Sequence, residues 1–529
     1  MKRLSGLLLI VSGMITVGVF ATPAFAGAKT CSENAYICTE ASESVGNAGE
    51  YTGHDEPSVL FYSNRAGAGN SNHYRFVLPK DPLQRPTQDG LGATWNFQLH
   101  PAFWFGMDMC DTQSAPEFQH TTCTPSSDSN IFESPDPNAP NYIGHHPGGA
   151  FMEMQFYPPG WAGWEAGVSC DAVHWCAALN IDSLSESQVD NTTQNSQCLN
   201  KAGIEPVSFA FITKSGVPQA SPDPLTDFTS PFAASTVDPS KDLFMGPGDT
   251  IVLDMHDTPA GFQVVIHDVT TGETGSMTAS VANGFRQVLY EPKGNCHSAP
   301  YAYHPMYASS SEHTRLTWTA HGYNVAFSDE IGHFEYCDVV NNQKCHSGGA
   351  TDASADGDDN YCFAASLSLL VQVSGCTDTD VDFDGPSYQP TAWPGTGSAR
   401  PVPDPIVFTS PLFDTSNGTS NYDRIAFETD LPRIEAADLG GSCDRSTGTG
   451  CTNPPPGANF YPIYTTGTLG GQCVWQEGGA SLPGTTNTFG GNSTAEYGSL
   501  LSLAYPIPGG VVSRYNNYRN TLTTNPCRA

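Results

Sequence analysis

The sequence predicts an all-β protein of two or more antiparallel β-sandwich, jelly-roll-like domains, disulfide-stapled and rich in loops. Three observations carry this. Segments that alternate apolar and polar residues recur at short intervals between clusters of Gly, Pro, Asn and Asp, the pattern of half-buried strands joined by turns. Helical periodicity is almost absent. The 16 cysteines are an even number in a chain with only 14% charged residues, a composition typical of exported, loop-rich proteins.

The first residues set the compartment. Lys2-Arg3, an apolar run from Leu7 to Phe20 and the small-x-small site Ala24-Phe25-Ala26 read as a secretory signal peptide over 1–26. No later run is long and apolar enough for a membrane span, so the chain is expected outside the cell. The formal charge is −33. Loss of Lys2 and Arg3 with the signal takes it to −35, which excludes nucleic acid and anionic membranes as natural partners. Residues 27–56 read as a loosely ordered leader pinned by Cys31 and Cys38.

Residues 57–376 read as a large β-sandwich region of one or two sandwiches. Within it, Phe151–Tyr157 alternates, and so does Thr250–His256, with Ile251, Leu253 and Met255 on one face. The turn Asp257–Gly261, the strand Phe262–Asp268, the turn at 270–274 and the strand Gly275–Val281 complete an antiparallel meander. Residues 377–404 carry five prolines among acidic residues and glycines and read as a linker. Residues 405–529 read as a C-terminal β-sandwich module. An echo links the two parts: Gly69-x-Ser71-Asn72-x-x-Arg75 follows the extended stretch 57–61, and Gly418-x-Ser420-Asn421-x-x-Arg424 follows 405–408. Duplicated modules explain it, and so does chance similarity between turn-rich strands.

Many cysteines lie close in sequence: Cys110/Cys123, Cys170/Cys176, Cys337/Cys345, Cys362/Cys376 and Cys443/Cys451. Loops stapled at their base are the expectation, with Cys473 and Cys527 fastening the C-terminus. The connectivity itself is open.

Three constellations carry candidate chemistry. The first is the histidine-rich segment from His304 to Cys337. If 321–327 and 333–337 form a hairpin over Ser328–Gly332, Phe327 faces His333 and Val325 faces Glu335, so that His321, His333 and Glu335 share a face. Imidazoles beside a carboxylate suit Zn, Cu(II) or Mn. His256, which shares a strand face with Asp254, or His304 would complete the set. The other reading is histidines hydrogen-bonded within a sandwich or at its rim. Blue copper is excluded, because Cys337 is not followed by the His and Met such a loop requires.

The second constellation is Glu153-x-Gln155, flanked on its face by Phe151 and Tyr157. A carboxylate and an amide beside aromatic rings suit a sugar, with Glu153 as the catalytic acid or base. A glycosidase needs a second carboxylate about 5 to 10 Å away, for which Asp254 and Glu330 are available. An ordinary strand with a polar outer face is the alternative. In the third, Asp380, Asp382 and Asp384 before Gly385 reproduce the first half of a calcium loop. Thr391 stands where an EF-hand has glutamate, so the choice is between another kind of calcium site and a solvated acidic linker.

The strings Gly246-Pro-Gly-Asp249, His256-Asp-Thr-Pro-Ala-Gly-Phe262, Tyr323–Glu335 and Thr485–Gly491 resemble a group of long secreted microbial proteins. The resemblance runs from about residue 57 to the C-terminus. It implies one long architectural unit rather than an arbitrary fusion, and it brings no catalytic residues. The expected function is therefore a metal-assisted enzyme acting on an extracellular polymer, by default a polysaccharide. The alternative is a non-catalytic glycan-binding or cell-surface structural protein with calcium-stiffened loops.

Overall fold

The architecture comes from a computed structural model. The described residues are 70–80, 103–113, 149–157, most of 171–226, 237–305, 406–409 and 471–477, with further short strands before 63 and after 324. They form a predominantly antiparallel β protein. Two eight-stranded sheets account for most of it, and every strand pairing within them is antiparallel.

The strands of these sheets, in chain order, are β1 (Ser58–Tyr62), β2 (Ser71–Val77), β3 (Phe103–Cys110), β4 (Gly149–Tyr157), β5 (Cys176–Asp182) and β6 (Val207–Phe211). Then come β7 (Thr250–Thr258), β8 (Gly261–Asp268), β9 (Thr274–Thr278), β10 (Val325–Asp329) and β11 (Ile406–Thr409). The last are β12 (Arg424–Asp430), β13 (Tyr464–Leu469), β14 (Gln472–Glu477), β15 (Asn487–Phe489) and β16 (Asn517–Leu522). Sheet I has the order β9-β8-β7-β2-β11-β14-β13-β15, and sheet II the order β16-β12-β1-β10-β3-β4-β5-β6.

The alternation written in the sequence decides which face each strand buries. Tyr74 and Phe76 of β2, Ile251, Leu253 and Met255 of β7, and Phe262, Val264 and Ile266 of β8 point inward from sheet I. Phe103, Phe105 and Met107 of β3, Met152, Met154 and Phe156 of β4, and Leu179 and Ile181 of β5 point inward from sheet II. All belong to one hydrophobic core. Aromatic rings cross between the layers: Tyr74 lies 4.4 Å from Phe105, Phe76 lies 5.3 Å from Phe156, and Trp475 lies 6.1 Å from Phe61. Each such pair adds about 0.5–1.5 kcal/mol to the burial of its area.

Two devices close the layers at their margins. Past β6, Thr213 bridges to Ser276 of β9, whose N–H donates to the Thr213 carbonyl at 2.9 Å. This bridge ties the segment after the edge strand of sheet II to the edge strand of sheet I. Elsewhere, residues 301–305 span from one sheet to the other. The Phe262 N–H donates to the Tyr303 carbonyl and the Cys110 N–H to the His304 carbonyl, both at 2.8 Å.

The predicted meander is present as β7, β8 and β9, in continuous register. Its entry turn follows from Gly246-Pro247-Gly248-Asp249: proline takes the second position, and Gly248 takes the positive φ of 87° at the third. The Asp249 N–H closes the turn onto the Gly246 carbonyl at 3.0 Å.

The expected hairpin between 321–327 and 333–337 is corrected. Val325–Asp329 runs between β1 and β3 in sheet II, with Ala326 opposite both Leu60 and Gly106, and Phe327 opposite both Val59 and Phe105. Both edges of β10 are occupied, so nothing on it faces 333–337. Ile331–Gly332 pairs instead with His54–Asp55, and Cys337–Asn341 pairs with Lys344–Gly348.

One disulfide is described in full: Cys198 to Cys296, 98 residues apart. It pins the helix α1 (Ser196–Ala202) onto the segment after Arg286–Leu289. Asn195 caps α1 by accepting from the Gln197 and Cys198 amides, and its own amide group donates to the Glu291 carbonyl. Cys110, Cys176 and Cys473 are also disulfide-bonded. No helix among the described residues is long and apolar enough to cross a membrane.

Candidate functional site

The outer face of sheet I is a grid in which directly opposed residues share a side. Ser71, His256, Gln263 and Thr278 form one row. His73, Asp254, Val265 and Ser276 form the next, and Arg75, Val252, His267 and Thr274 the third. His73 Nδ1 lies 2.5 Å from Asp254 Oδ1, in a pair whose side chains are 42% and 36% exposed. Gln263 donates to Thr278 at 3.0 Å, and His267 lies 2.9 Å from the Thr274 hydroxyl. The expected sharing of a face by His256 and Asp254 is what the strand shows. The partner of Asp254, however, is His73, 181 residues away.

His304 occupies different ground. Its Nδ1 lies 2.7 Å from Asp257 Oδ1, and the pair is mostly buried. Asp257 follows His256 and so points to the opposite face of β7. His256 and His304 therefore stand on opposite sides of one strand. They cannot serve a single ion whose bonds to nitrogen are about 2.0–2.1 Å. His321, His333 and Glu335 lie outside the described residues. So do Asp380 and Asp384, while Asp382 is described only as backbone, in a two-residue strand paired with Arg433–Ile434. Among the described residues, no group of three or more His, Cys, Asp or Glu side chains is placed to hold a metal ion.

The outer face of sheet II is built differently. Phe151, Glu153, Gln155 and Tyr157 do share one side of β4, as the alternation predicts. Across from Glu153 stand Gly106 on β3 and Asn180 on β5. Across from Gln155 stand Trp104 and Ala178, and across from Phe151 stand Asp108 and Asp182. This face is not an open polar surface. Trp104, Phe151, Gln155, Tyr157, Asn180 and Asp182 are all buried, and Glu153 is the half-exposed member. Tyr157 packs with Phe209 and Phe211 in a second apolar cluster.

Within this layer the polar groups form a directed chain. The Tyr157 hydroxyl and the Asn180 amide both donate to Gln155 Oε1. The Gln155 amide then donates to Glu153 Oε2 at 2.5 Å. Gln155 is thus locked in one orientation with its N–H groups aimed at the carboxylate. A donated N–H stabilises the charged form of a carboxylate. Asp182 lies diagonally from Glu153, one pleat along the neighbouring strand, where Cα atoms are about 7–8 Å apart. Of the second carboxylates expected for a glycosidase, Asp254 is on the outer face of the other sheet, with the whole core between it and Glu153. Glu330 lies outside the described residues.

Comparison with protein-family models, with curated proteins and with solved structures finds no match. The site is therefore defined by its own geometry. Sequence reasoning missed Asn180 and Asp182, although Asn180-Ile-Asp182 carries the same every-second-residue signal as Glu153-x-Gln155. Apolar Ala177, Leu179 and Ile181 alternate with them into the core. Trp175, on the approach to β5, fills the core at 1% exposure.

Proposed function

We propose that the chain is an extracellular glycan-directed enzyme whose site is the Glu153 face of sheet II. The observation that supports it best is the hydrogen-bonded chain ending on Glu153, with Asp182 beside it. Sugar hydroxyls are both donors and acceptors, and an ordered row of carboxylate and amide groups matches them. Glu153, half-exposed and accepting from the Gln155 amide, is the base or nucleophile. Asp182, diagonal to it on the neighbouring strand, is the second carboxylate that two-carboxylate glycoside hydrolysis needs. Gly106, having no side chain, leaves room beside Glu153 on the β3 side. Trp104 and Phe151, packed edge to face at 5.3 Å, form a wall rather than an open stacking platform.

The metal-assisted reading rests on His321, His333 and Glu335 and remains an expectation of the sequence. The Glu153 reading is preferred because its parts are assembled on neighbouring strands.

The test is a panel of neutral polysaccharides incubated with the purified protein, with reducing ends and binding measured separately. The wild type is expected to cleave at least one of them. Glu153→Gln keeps an oxygen acceptor for Gln155, so it should leave thermal stability and binding near wild type while lowering turnover by about 10²–10⁴. Binding without cleavage in the wild type would assign the non-catalytic glycan-binding role instead. Neither binding nor cleavage across the panel would remove the proposal.

A further inference from the structure

Among the described residues the outer face of sheet I lies open, whereas its counterpart on sheet II is largely buried. Every side chain in its three rows is exposed or half-exposed. Its charge is unlike that of the chain. The sequence carries 54 Asp and Glu against 21 Lys and Arg. The three rows hold Arg75, His73, His256 and His267 and a single carboxylate, Asp254, which is already engaged by His73.

The face has an apolar middle and a polar rim. Half-exposed Val252 and Val265 stand on neighbouring strands at its centre, opposite His267 and Asp254 respectively. Arg75 and His267 flank Val252 from either side, two strand spacings or about 10 Å apart. His73 stands about 7 Å from Arg75 along β2. A flat sugar ring can lie over the valines while the arginine and the imidazoles reach its substituents. Gln263 and Thr278, hydrogen-bonded to each other at 3.0 Å, add donors and acceptors for hydroxyls.

The imidazoles decide which substituent is taken. His73 Nδ1 faces a carboxylate, which only accepts, so Nδ1 carries the proton. In the neutral ring Nε2 is then an acceptor, and in the imidazolium it is a charged donor. Histidine side chains ordinarily make that change between pH 5 and 8. The charged groups around the face do not oppose it. Beyond β9, Lys214 and Glu273 pair with each other at 2.9 Å. At the end of β2, Lys80 lies over Gly248. On the β11 side, the neighbour of Arg75 is the neutral Thr409. On the other side of β7, Asp257 is taken by His304. At 0.15 M salt the screening length is about 8 Å, less than the roughly 10 Å between packed sheets, so the groups on the face itself prevail over the acidic bulk.

We propose that the outer face of sheet I is a second docking surface, for a polysaccharide that bears carboxylate groups. Arg75 and the protonated His73 and His267 hold the carboxylates, and the valines carry the ring between them. The surface engages the polymer in a mildly acidic medium and releases it as pH rises. Nucleic acid, with its dense phosphates, meets instead the repulsion of a chain of net charge −33. The core separates this face from Glu153, so the proposal does not rest on the role of that residue.

The experiment measures binding of polygalacturonate to the full chain by calorimetry at pH 5 and pH 8, beside its methyl ester and duplex DNA. The wild type is expected to bind polygalacturonate about tenfold or more tightly at pH 5 than at pH 8, and the ester weakly at both. Arg75→Gln should weaken binding about tenfold with Tm unchanged. His73→Gln and His267→Gln should each shrink the pH dependence. Glu153→Gln should bind as the wild type does, whether or not the wild type cleaves any polymer. Loss of binding in Glu153→Gln alone would place the polymer on sheet II and overturn the second surface. Equal affinity for acid and ester, a pH-independent affinity, duplex DNA bound as tightly, or no binding of polygalacturonate would each overturn it as well.

Discussion

At the scale of single residues, backbone conformation and buried charge set sharp limits. Gly261 has φ of 137°, and a Cβ there would stand 2.3 Å from the Ala279 carbonyl oxygen. Backbone cannot yield as a side-chain tip does. Gly261→Ala should therefore cost about 2 kcal/mol or more, read as a lower midpoint in urea unfolding. Asp242 is 1% exposed. Burial pushes its carboxyl up to about 6, against the Asp238 amide and Gln219, which hydrogen-bond to it. The sign follows from proton linkage: the folded state binds this proton more tightly, so stability falls as pH rises from about 4 to about 6. Asp242→Asn should remove that slope, worth at most about 3 kcal/mol, in denaturation midpoints measured across the interval. Part of this scale was legible in the sequence. Alternation put Asp254 and His256 on one face and Glu153 and Gln155 on another, because side-chain direction is a local property of a strand. The partners His73, Asn180 and Asp182 were not legible, since only strand pairing brings them close.

At the scale of elements, α1 shows how little a short helix holds by itself. Seven residues are too few to be stable alone in water. What keeps α1 in place is the Asn195 cap, the packing of Cys198 with Leu225, Val288 and Tyr290, and the bond to Cys296. Replacing both cysteines by alanine should lower stability by about 2–5 kcal/mol and speed hydrogen exchange at Leu199, whose N–H donates to the Asn195 carbonyl. Cysteine spacing suggested short loops stapled at their base, but this bridge closes a span of 98 residues, which spacing cannot reveal. The segment 325–329 carries the same lesson. Its strand character was legible in the alternation of Val325, Ala326 and Phe327. Its neighbours were not, because β1 and β3 lie more than 200 residues upstream and a nearby loop offered a simpler hairpin.

At the scale of the whole molecule, both sheets are mosaics of early and late strands. β2 pairs with β11 and β1 pairs with β12, so strands from either side of 377–404 interleave in both layers. β2 carries the first copy of the Gly-x-Ser-Asn-x-x-Arg echo and β12 begins at the arginine of the second, while β1 and β11 are the extended stretches before them, so each of β2 and β12 pairs with the stretch that precedes the other copy. Limited proteolysis within 377–404 should therefore leave two fragments that co-elute in gel filtration and separate only in denaturant. The all-β class was legible in the sequence because strand periodicity is written locally. The interleaving was not, because a proline-rich stretch reads as a boundary whatever the strands on either side of it do. It also sets a tempo for folding. The Arg75 N–H donates to the Thr409 hydroxyl across 334 residues. While the chain is being synthesised, β1 and β2 have finished backbones and no lateral neighbours for most of that time. Loop closure over such distances is slow, and bare strand edges invite other chains. The molecule is thus expected to refold slowly and in a concentration-sensitive way, with a long interval in which the first-made strands wait for the last.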